Sequence, residues 1–275
     1  MDLLNVVILG FVQGLTEFLP VSSSGHLVLM QQLLGMQEPE LFFDICVHIG
    51  TLIAVCVVFY REIGNLIKTV VRFPILLKTS RGFKSLVTTN EEIRMVILIL
   101  VGSIPTALMG LLFHEIADQI FSSVGVVGVT LLVTGTLLWF TYKLPKKGRD
   151  IKAVSIRDAL AVGLIQGLAI LPGISRSGST ISVGLYLGID REVAGRYSFL
   201  LSIPAIIGAL VISLDSAKIA STISAPLIVV GSLIALVVGF AALKMLLWVV
   251  KKGQLHYFAP YCWMLGLGAL VWAVV

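Results

Sequence analysis

Charge is scarce in this chain. Asp, Glu, Lys and Arg together make up 13% of its 275 residues, about half the share of soluble domains. So few charges cannot cover a water-exposed surface of this size, which excludes a soluble globular protein. Cysteine is scarcer still. Cys46, Cys56 and Cys262 stand singly in apolar runs, with no CxxC pair and no His/Cys metal spacing, so a disulfide scaffold is excluded and the three read as small buried hydrophobes. After Met1-Asp2 there is no basic leader with a small-residue cleavage site, so a cleavable signal peptide is not expected. What is abundant is apolar, with 57% hydrophobic residues and a mean hydropathy of +1.03. The class is a polytopic integral membrane protein.

Six apolar stretches, near 41–60, 93–113, 124–143, 196–214, 226–250 and 257–275, approach or exceed the about 20 residues that a helix needs to cross a bilayer. Two further apolar regions are interrupted. Residues 3–35 break at Pro20-Val21-Ser22-Ser23-Ser24-Gly25, and residues 156–188 break at Pro172-Gly173-Ile174-Ser175-Arg176-Ser177-Gly178. Their arms are mostly too short to span, so each reads as a re-entrant helix hairpin with a polar tip at membrane depth. The expected fold is therefore all-α, with six transmembrane helices plus two re-entrant hairpins.

The positions of the charges test this count. With the run after Tyr60 inside, the loops of one side hold 17 of the 20 basic residues, and Lys218 alone lies on the other. Acidic residues Glu38, Glu40, Glu115, Asp118 and Asp215 share the side of Lys218. Such a split is a strong positive-inside signal. It predicts both termini outside and requires both hairpins to return to the side they entered. The net charge of +5 is thus an orientation signal, and no nucleic-acid partner is expected. The hairpins also resemble each other. Gln13-Gly14-Leu15, Pro20 and Ser24-Gly25 parallel Gln166-Gly167-Leu168, Pro172 and Ser177-Gly178, at an offset of 153 with a one-residue slip of the proline. The predicted organisation is one membrane domain of two inverted repeats, 1–143 and 144–275, each a hairpin (3–35, 156–188) plus three spans. Pro105 and Pro204 read as ordinary kinks within spans.

The first tip supplies Gln13, Glu17, Ser22, Ser23, Ser24 and His26; the second supplies Ser175, Arg176, Ser177, Ser179 and Thr180. Gln13 and Glu17 share a helical face, and Ser23 and His26, three apart, are close enough to meet. Helices restarting near Ser24 and Ser177 direct free N–H groups and the positive ends of their dipoles inward. With an arginine and several hydroxyls, that makes an anion site suited to phosphate. An arginine at bilayer depth costs at least about 2.5–3.5 kcal/mol, so Arg176 must pair with Glu17 or with an anionic ligand. A purely structural Arg–Glu clamp is the plainer alternative. Lys244 snorkels to the inner face.

Gln13-Gly14-Leu15-Thr16-Glu17-Phe18-Leu19-Pro20-Val21-Ser22-Ser23-Ser24-Gly25-His26 resembles the first signature of the undecaprenyl-pyrophosphate phosphatases, the bacitracin-resistance family of bacterial membrane phosphatases. Pro172-Gly173-Ile174-Ser175-Arg176-Ser177-Gly178-Ser179-Thr180 resembles their second signature, PGxSRSxxT. Length and span count agree, so the resemblance covers the whole chain. Family members carry Glu or Gln at the position of Gln13, and this chain has the less acidic variant. The resemblance implies hydrolysis of a C55 polyprenyl diphosphate to the monophosphate that carries cell-wall intermediates. It also implies a divalent-cation requirement (Mg²⁺ or Ca²⁺) and a site open to the extracytoplasmic side. Membrane lipids are the remaining expected partners, and a homodimer is admitted.

On this reading Arg176 clamps the diphosphate and neutralises charge on the leaving bridging oxygen. Ser23 is a candidate nucleophile, with a metal-activated water as the alternative. His26 is a candidate base or acid. Glu17 holds the cation or orients His26 or a water. Gln13, Ser22, Ser24, Ser175, Ser177, Gly178 and Thr180 are candidate substrate-binding residues. Asp44 and His48 form a further i,i+4 pair, read as a helix-terminal hydrogen bond before a second metal site. His114, His256, Trp139, Trp248, Tyr257, Tyr261 and Trp263 read as groups at span ends, several of them interfacial anchors. The basic loop 61–92 is expected to meet anionic lipid head groups. A lipid-phosphate carrier or flippase is the competing function, since interrupted helices in inverted repeats are common in transporters. A channel is weaker, because Arg176 sits at the tips without a ring of like charges.

Overall fold

Apolar runs of helical length set the architecture. The computed structural model describes residues 1–36, 41–80, 82–114, 123–145, 147–215 and 223–274. In chain order the helices are α1 (Leu3–Phe18), α2 (Ser23–Leu33), α3 (Leu41–Val58), α4 (Tyr60–Thr79), α5 (Phe83–Thr89) and α6 (Glu91–His114). They continue with α7 (Val124–Trp139), α8 (Ile156–Leu168), α9 (Arg176–Tyr186), α10 (Arg191–Asp215), α11 (Ala225–Lys252) and α12 (Ala259–Val274). Among the described residues there is no strand. Glu38, Glu40, Arg81, Glu115, Asp118, Lys146 and Lys218, which enter the charge argument, lie outside the described residues, as do the side chains of Lys84, His114 and Asp215.

Five segments are long and apolar enough to cross a membrane: Glu91–Phe113, Val124–Lys143, Arg191–Val211, Ala225–Lys252 and Leu255–Val274. The sixth expected span, α3, passes the same test only together with α4, from which it is bent by 79°. The protein is thus a multi-pass all-α membrane protein. Both interrupted regions are pairs of short helices broken where the prolines fall: α1 and α2 have 16 and 11 residues, α8 and α9 have 13 and 11. At 1.5 Å per residue, none of the four reaches across an about 30 Å core. Pro105 and Pro204 lie inside α6 and α10.

The basic segment 61–92 corrects an expectation. It is not a loop but two helices, α4 and α5, which contribute Phe73, Leu76, Leu86 and Val87 to a small cluster with Ile93 and Ile97 of α6. Counting spans by average hydropathy hides such a helix, because its charges cancel its apolar residues while their 3.6-residue period survives.

Lipid and protein faces separate cleanly. Leu100, Ile104, Leu108 and Leu111 repeat down one side of α6 at 63%, 56%, 63% and 61% exposure, as a lipid-facing stripe requires. The largest core cluster includes Phe18, Leu98, Ile181, Tyr197, Phe199, Leu243 and Leu246, drawn from five helices. Small residues bring the short arms against the long helices. α1 packs on α11 and α8 on α6. A Cβ on Gly10 would lie 2.7 Å from the Gly231 carbonyl, and one on Gly163 only 2.0 Å from the Gly102 carbonyl. Gly10 and Gly163 stand 153 residues apart, the offset of the two hairpin sequences.

Gly163→Ala therefore forces two backbones apart. We expect a loss of about 3 kcal/mol, read as a lower melting temperature in detergent. Gly208→Ala, with nothing within 4 Å of the added methyl, is the control and keeps the parent's melting temperature. Equal melting of the two variants would refute the close contact.

The start of the second hairpin is anchored outside the helices. Asp158 and Ser155 form a reciprocal capping box. The Arg149 guanidinium donates to Asp158 at 2.9 Å, and the Arg149 backbone exchanges bonds with Gly188 and Asp190. This staple joins the entry of α8 to the exit of α9.

Candidate active site

Both tips close with the same local chemistry. Ser22 is the N-cap of α2 and accepts from the Gly25 N–H at 3.3 Å; Ser175 is the N-cap of α9 and accepts from the Gly178 N–H at 3.1 Å. Each cap satisfies one of the unpaired N–H groups at its helix start. The following residues, Ser23 and Arg176, hold the same first helical position in their two hairpins. Ser22 adopts φ 69°, a left-handed conformation that is strained for a residue with a Cβ. It is held there from several sides: the Gly173 N–H donates to its hydroxyl at 3.0 Å, and His26 Nδ1 donates to its carbonyl at 2.7 Å.

The tips are bonded to each other. Ser177 donates to the Phe18 carbonyl at 2.8 Å. Thr134 of α7 donates to the Gly173 carbonyl at 2.8 Å and accepts from the Ser175 N–H at 3.1 Å, while Thr130 donates to the Pro172 carbonyl. Gly173 has φ +93°, and a Cβ on it would lie 2.0 Å from the Thr130 hydroxyl, so glycine is required by both conformation and space. Thr180 shares a 2.5 Å bond with Ser198 of α10. Ser22, Ser175, Ser177, Gly178 and Thr180, all candidate substrate-binding residues, are thus buried and bonded within the protein. Ser23, Ser24 and Arg176 keep partial exposure; the Ser24 hydroxyl lies 3.3 Å from that of Ser22.

Glu17 is where the two hairpins meet chemically. One carboxylate oxygen, Oε1, accepts from Arg176 Nη2 at 2.5 Å. The other, Oε2, accepts from the Ser23 hydroxyl at 2.6 Å and from the Gln13 amide at 3.0 Å. Glu17 is 8% exposed, so its charge is compensated by the guanidinium rather than by bulk water. Of the two partners expected for Arg176, Glu17 or an anionic ligand, the first is present, yet only half of the guanidinium fork is used. Arg176 Nη1 is buried with no hydrogen-bond partner. An unpartnered buried donor beside a serine bonded to a carboxylate favours an arriving anion.

Ser23 and His26 do not meet as their spacing predicted. The Ser23 hydroxyl points to Glu17, whereas His26 Nε2 accepts from the Tyr261 hydroxyl at 2.7 Å. The two rings of that pair stack at 5.7 Å with an interplanar angle of 6°. Because His26 Nδ1 faces a carbonyl, it carries the proton, and Nε2 is the free acceptor of the neutral ring. Tyr261 was expected only at a membrane interface and is instead a neighbour of the site. His48 is the second such residue: its Nδ1 donates to the Asp44 carbonyl at 2.7 Å, the helix hydrogen bond expected of that pair, and its Nε2 lies 3.7 Å from Glu17 Oε2. Its i,i+4 spacing from Asp44 was the only sequence signal. Behind the carboxylate, Phe18 packs edge-on against Phe199 at 5.9 Å, and Phe199 stacks on Phe59 at the α3–α4 bend at 6.1 Å.

A divalent cation fits this donor set in one place. Gln13 is fully buried and its Oε1 has no partner, while its Nε2 bonds Glu17 Oε2 at 3.0 Å and His48 Nε2 lies 3.7 Å from that same carboxylate oxygen. Among the described residues no group of three His, Cys, Asp or Glu converges. The protein offers one carboxylate, one amide oxygen and one imidazole, too few for an all-protein cage but enough for a cation that also takes phosphate oxygens and water.

The comparisons agree with the sequence resemblance. The family described as bacitracin resistance protein BacA matches residues 6–268. A protein named undecaprenyl-diphosphatase from Desulfatibacillum aliphaticivorans is 52% identical over 274 residues, 98% of this chain and 99% of the relative. Relatives of the same name from Desulforapulum autotrophicum and Methanosphaera stadtmanae are 47% identical over 271 residues and 44% identical over 276 residues. The first covers 98% of both chains, the second 100% of this chain and 99% of the relative. By full-length similarity and by the two tips that its motifs build, the chain belongs to the bacitracin resistance protein BacA family.

Proposed function

We propose that this protein is a membrane phosphatase that hydrolyses undecaprenyl diphosphate to undecaprenyl phosphate and phosphate, recycling the lipid carrier of cell-wall synthesis. The observation that carries the reading is the Glu17 centre: a carboxylate that takes the proton side of Ser23, paired to an arginine whose second nitrogen is free for phosphate. A carrier needs groups that bind; a hydroxyl bonded at 2.6 Å to a carboxylate is the arrangement of a nucleophile with its base.

In the proposed mechanism Arg176 Nη1 binds the terminal phosphoryl group, and the N–H groups at the starts of α2 and α9 face its oxygens. Ser23 Oγ attacks the terminal phosphorus as Glu17 Oε2 takes its proton. The bond from phosphorus to the bridging oxygen breaks, and undecaprenyl phosphate leaves while Arg176 offsets the charge on that oxygen. A water then attacks the phosphoserine and gives a proton to His26 Nε2, while Glu17 returns its proton to Ser23 Oγ as the serine–phosphorus bond breaks and phosphate is released. His26, held by Ser22 and Tyr261, is the candidate base for that water. The cation belongs at Glu17, with Gln13 Oε1 and His48 beside it, and when bound it supplies charge neutralisation on phosphate oxygens. Ser22, Ser175, Ser177 and Thr180 act as the frame that holds the tips together.

The two halves, 1–143 and 144–275, are inverted repeats on this reading, and both hairpins re-enter. The matching caps at Ser22 and Ser175 and the matching close approaches at Gly10 and Gly163 support it. Both termini then face the extracytoplasmic side of a bacterial plasma membrane, and the isoprenoid tail stays in lipid between spans. Purified protein in detergent micelles, given undecaprenyl diphosphate and Mg²⁺ or Ca²⁺, is expected to release phosphate with multiple turnovers. Binding without release, in a preparation that moves the lipid between leaflets of a vesicle, would establish the carrier instead.

A further inference from the structure

Helix α4 lies at the edge of the bundle. It leaves α3 at 79°, buries none of its residues fully, and touches the rest of the protein through one side, where Ile63 and Leu66 pack on the main core and Phe73 and Leu76 on the α5–α6 cluster. On the opposite side Ile67, Val70, Val71 and Ile75 are 59%, 53%, 73% and 64% exposed. At helical spacing these four form one continuous apolar strip. Lys68 and Arg72 lie one turn apart along the border of that strip, both exposed, and among the described residues no carboxylate pairs with either. Glu62 is the one acidic residue of the helix, against Arg61, Lys68, Arg72 and Lys78.

An apolar strip edged by unpaired cations has the anatomy of a helix lying in the plane of a membrane surface. We propose that α4 is an in-plane docking surface for anionic phospholipid, its apolar strip seated at the acyl boundary and Lys68 and Arg72 on lipid phosphates. Two observations select this occupant. A second copy of the chain laid on the same strip brings its own Lys68 and Arg72 against these, a like-charge contact. Four cations against one carboxylate along α4 match the charge of an anionic head-group layer. The inference stands apart from the phosphatase reading, since it uses no residue of the Glu17 centre.

The test uses the whole protein in nanodiscs of mixed phosphatidylcholine and phosphatidylglycerol, one copy per disc. The Val71→Trp variant adds a reporter in the middle of the strip, read as the difference from the parent's own tryptophans. Its added emission is expected to be quenched by lipid brominated near the carbonyl end of the acyl chain, more by brominated phosphatidylglycerol than by brominated phosphatidylcholine. At about fivefold per basic residue near an anionic surface, adding Lys68→Gln and Arg72→Gln lowers the preference for phosphatidylglycerol by about thirtyfold while quenching by phosphatidylcholine persists. Emission insensitive to bromolipid but quenched by aqueous iodide would overturn the proposal, because the strip then faces water. Equal quenching by the two lipids in the Val71→Trp variant would overturn the anionic preference. Protection from both lipid and iodide that appears only with two copies per disc would assign the strip to self-association. Phosphate release from each variant in micelles, expected at the parent's rate, reports an intact fold.

Discussion

Arg176→Ala lowers phosphate release by about a thousandfold and also destabilises the protein, and the two losses have separable causes. The guanidinium bonds Glu17 Oε1 at 2.5 Å and keeps a second nitrogen unpartnered. Truncation removes the phosphate clamp and also leaves a buried carboxylate without its counter-charge, which costs about 3 kcal/mol. The double variant Arg176→Ala/Glu17→Gln removes the orphaned charge. It is expected to recover the parent's melting temperature in detergent and to stay inactive. If Arg176→Ala retains substantial turnover, the pair is a structural clamp and the proposed mechanism fails. If the double variant melts as low as the single one, the destabilisation comes from lost packing, not from the carboxylate.

The second large effect concerns Ser23. Ser23→Ala is expected to lower turnover by about a thousandfold or more, and an acid quench during turnover of the parent with substrate labelled at the terminal phosphorus traps phosphoserine on that residue. Glu17→Gln, which keeps a hydrogen-bond partner for the hydroxyl but cannot take its proton, should cost about a thousandfold and slow formation of the trapped species. Two successive in-line displacements return the phosphorus to its original configuration. Net inversion at a chirally labelled terminal phosphorus would show direct attack by water and reduce Ser23 to a phosphate ligand. Ser23→Ala is expected to melt close to the parent's temperature, because Ser23 is only partly buried and none of the bonds between the tips passes through its hydroxyl.

Much of this arrangement is legible in the amino-acid order because membranes restrict the options. The breaks at Pro20 and Pro172 stop helices whatever the surroundings, and an arginine at membrane depth demands a partner, so the choice for Arg176 narrows on paper to Glu17 or an anionic ligand. What spacing did not convey is where side chains turn. Ser23 and His26 are three residues apart, a separation that lets them meet, but the directions of their side chains are decided by Glu17 on α1 and by Tyr261, 235 residues later in the chain. His48 was visible as the i+4 neighbour of Asp44; its approach to Glu17 depends on how α1 and α3 lie together. Ser22, Ser175, Ser177 and Thr180 looked like ligands for phosphate because hydroxyls at a helix start suit anions. They suit backbone caps equally well, and only packing distinguishes the two uses. Helix α4 carried a readable period that a search for long apolar runs passes over.

Ser23 and Arg176 occupy the same station in two hairpins that share cap, glycine and glutamine, and Glu17 corresponds at the same offset to Ile170. Chemistry here depends on the difference between the halves and architecture on their likeness. A chain assembled from two copies of the first half would confront a pair of serines and a pair of glutamates with no guanidinium to receive phosphate. Two copies of the second half would set arginine against arginine with no carboxylate between them. Neither symmetric chain would hold the Ser23, Glu17 and Arg176 set, so the proposed chemistry rests on the few positions at which the two hairpins differ.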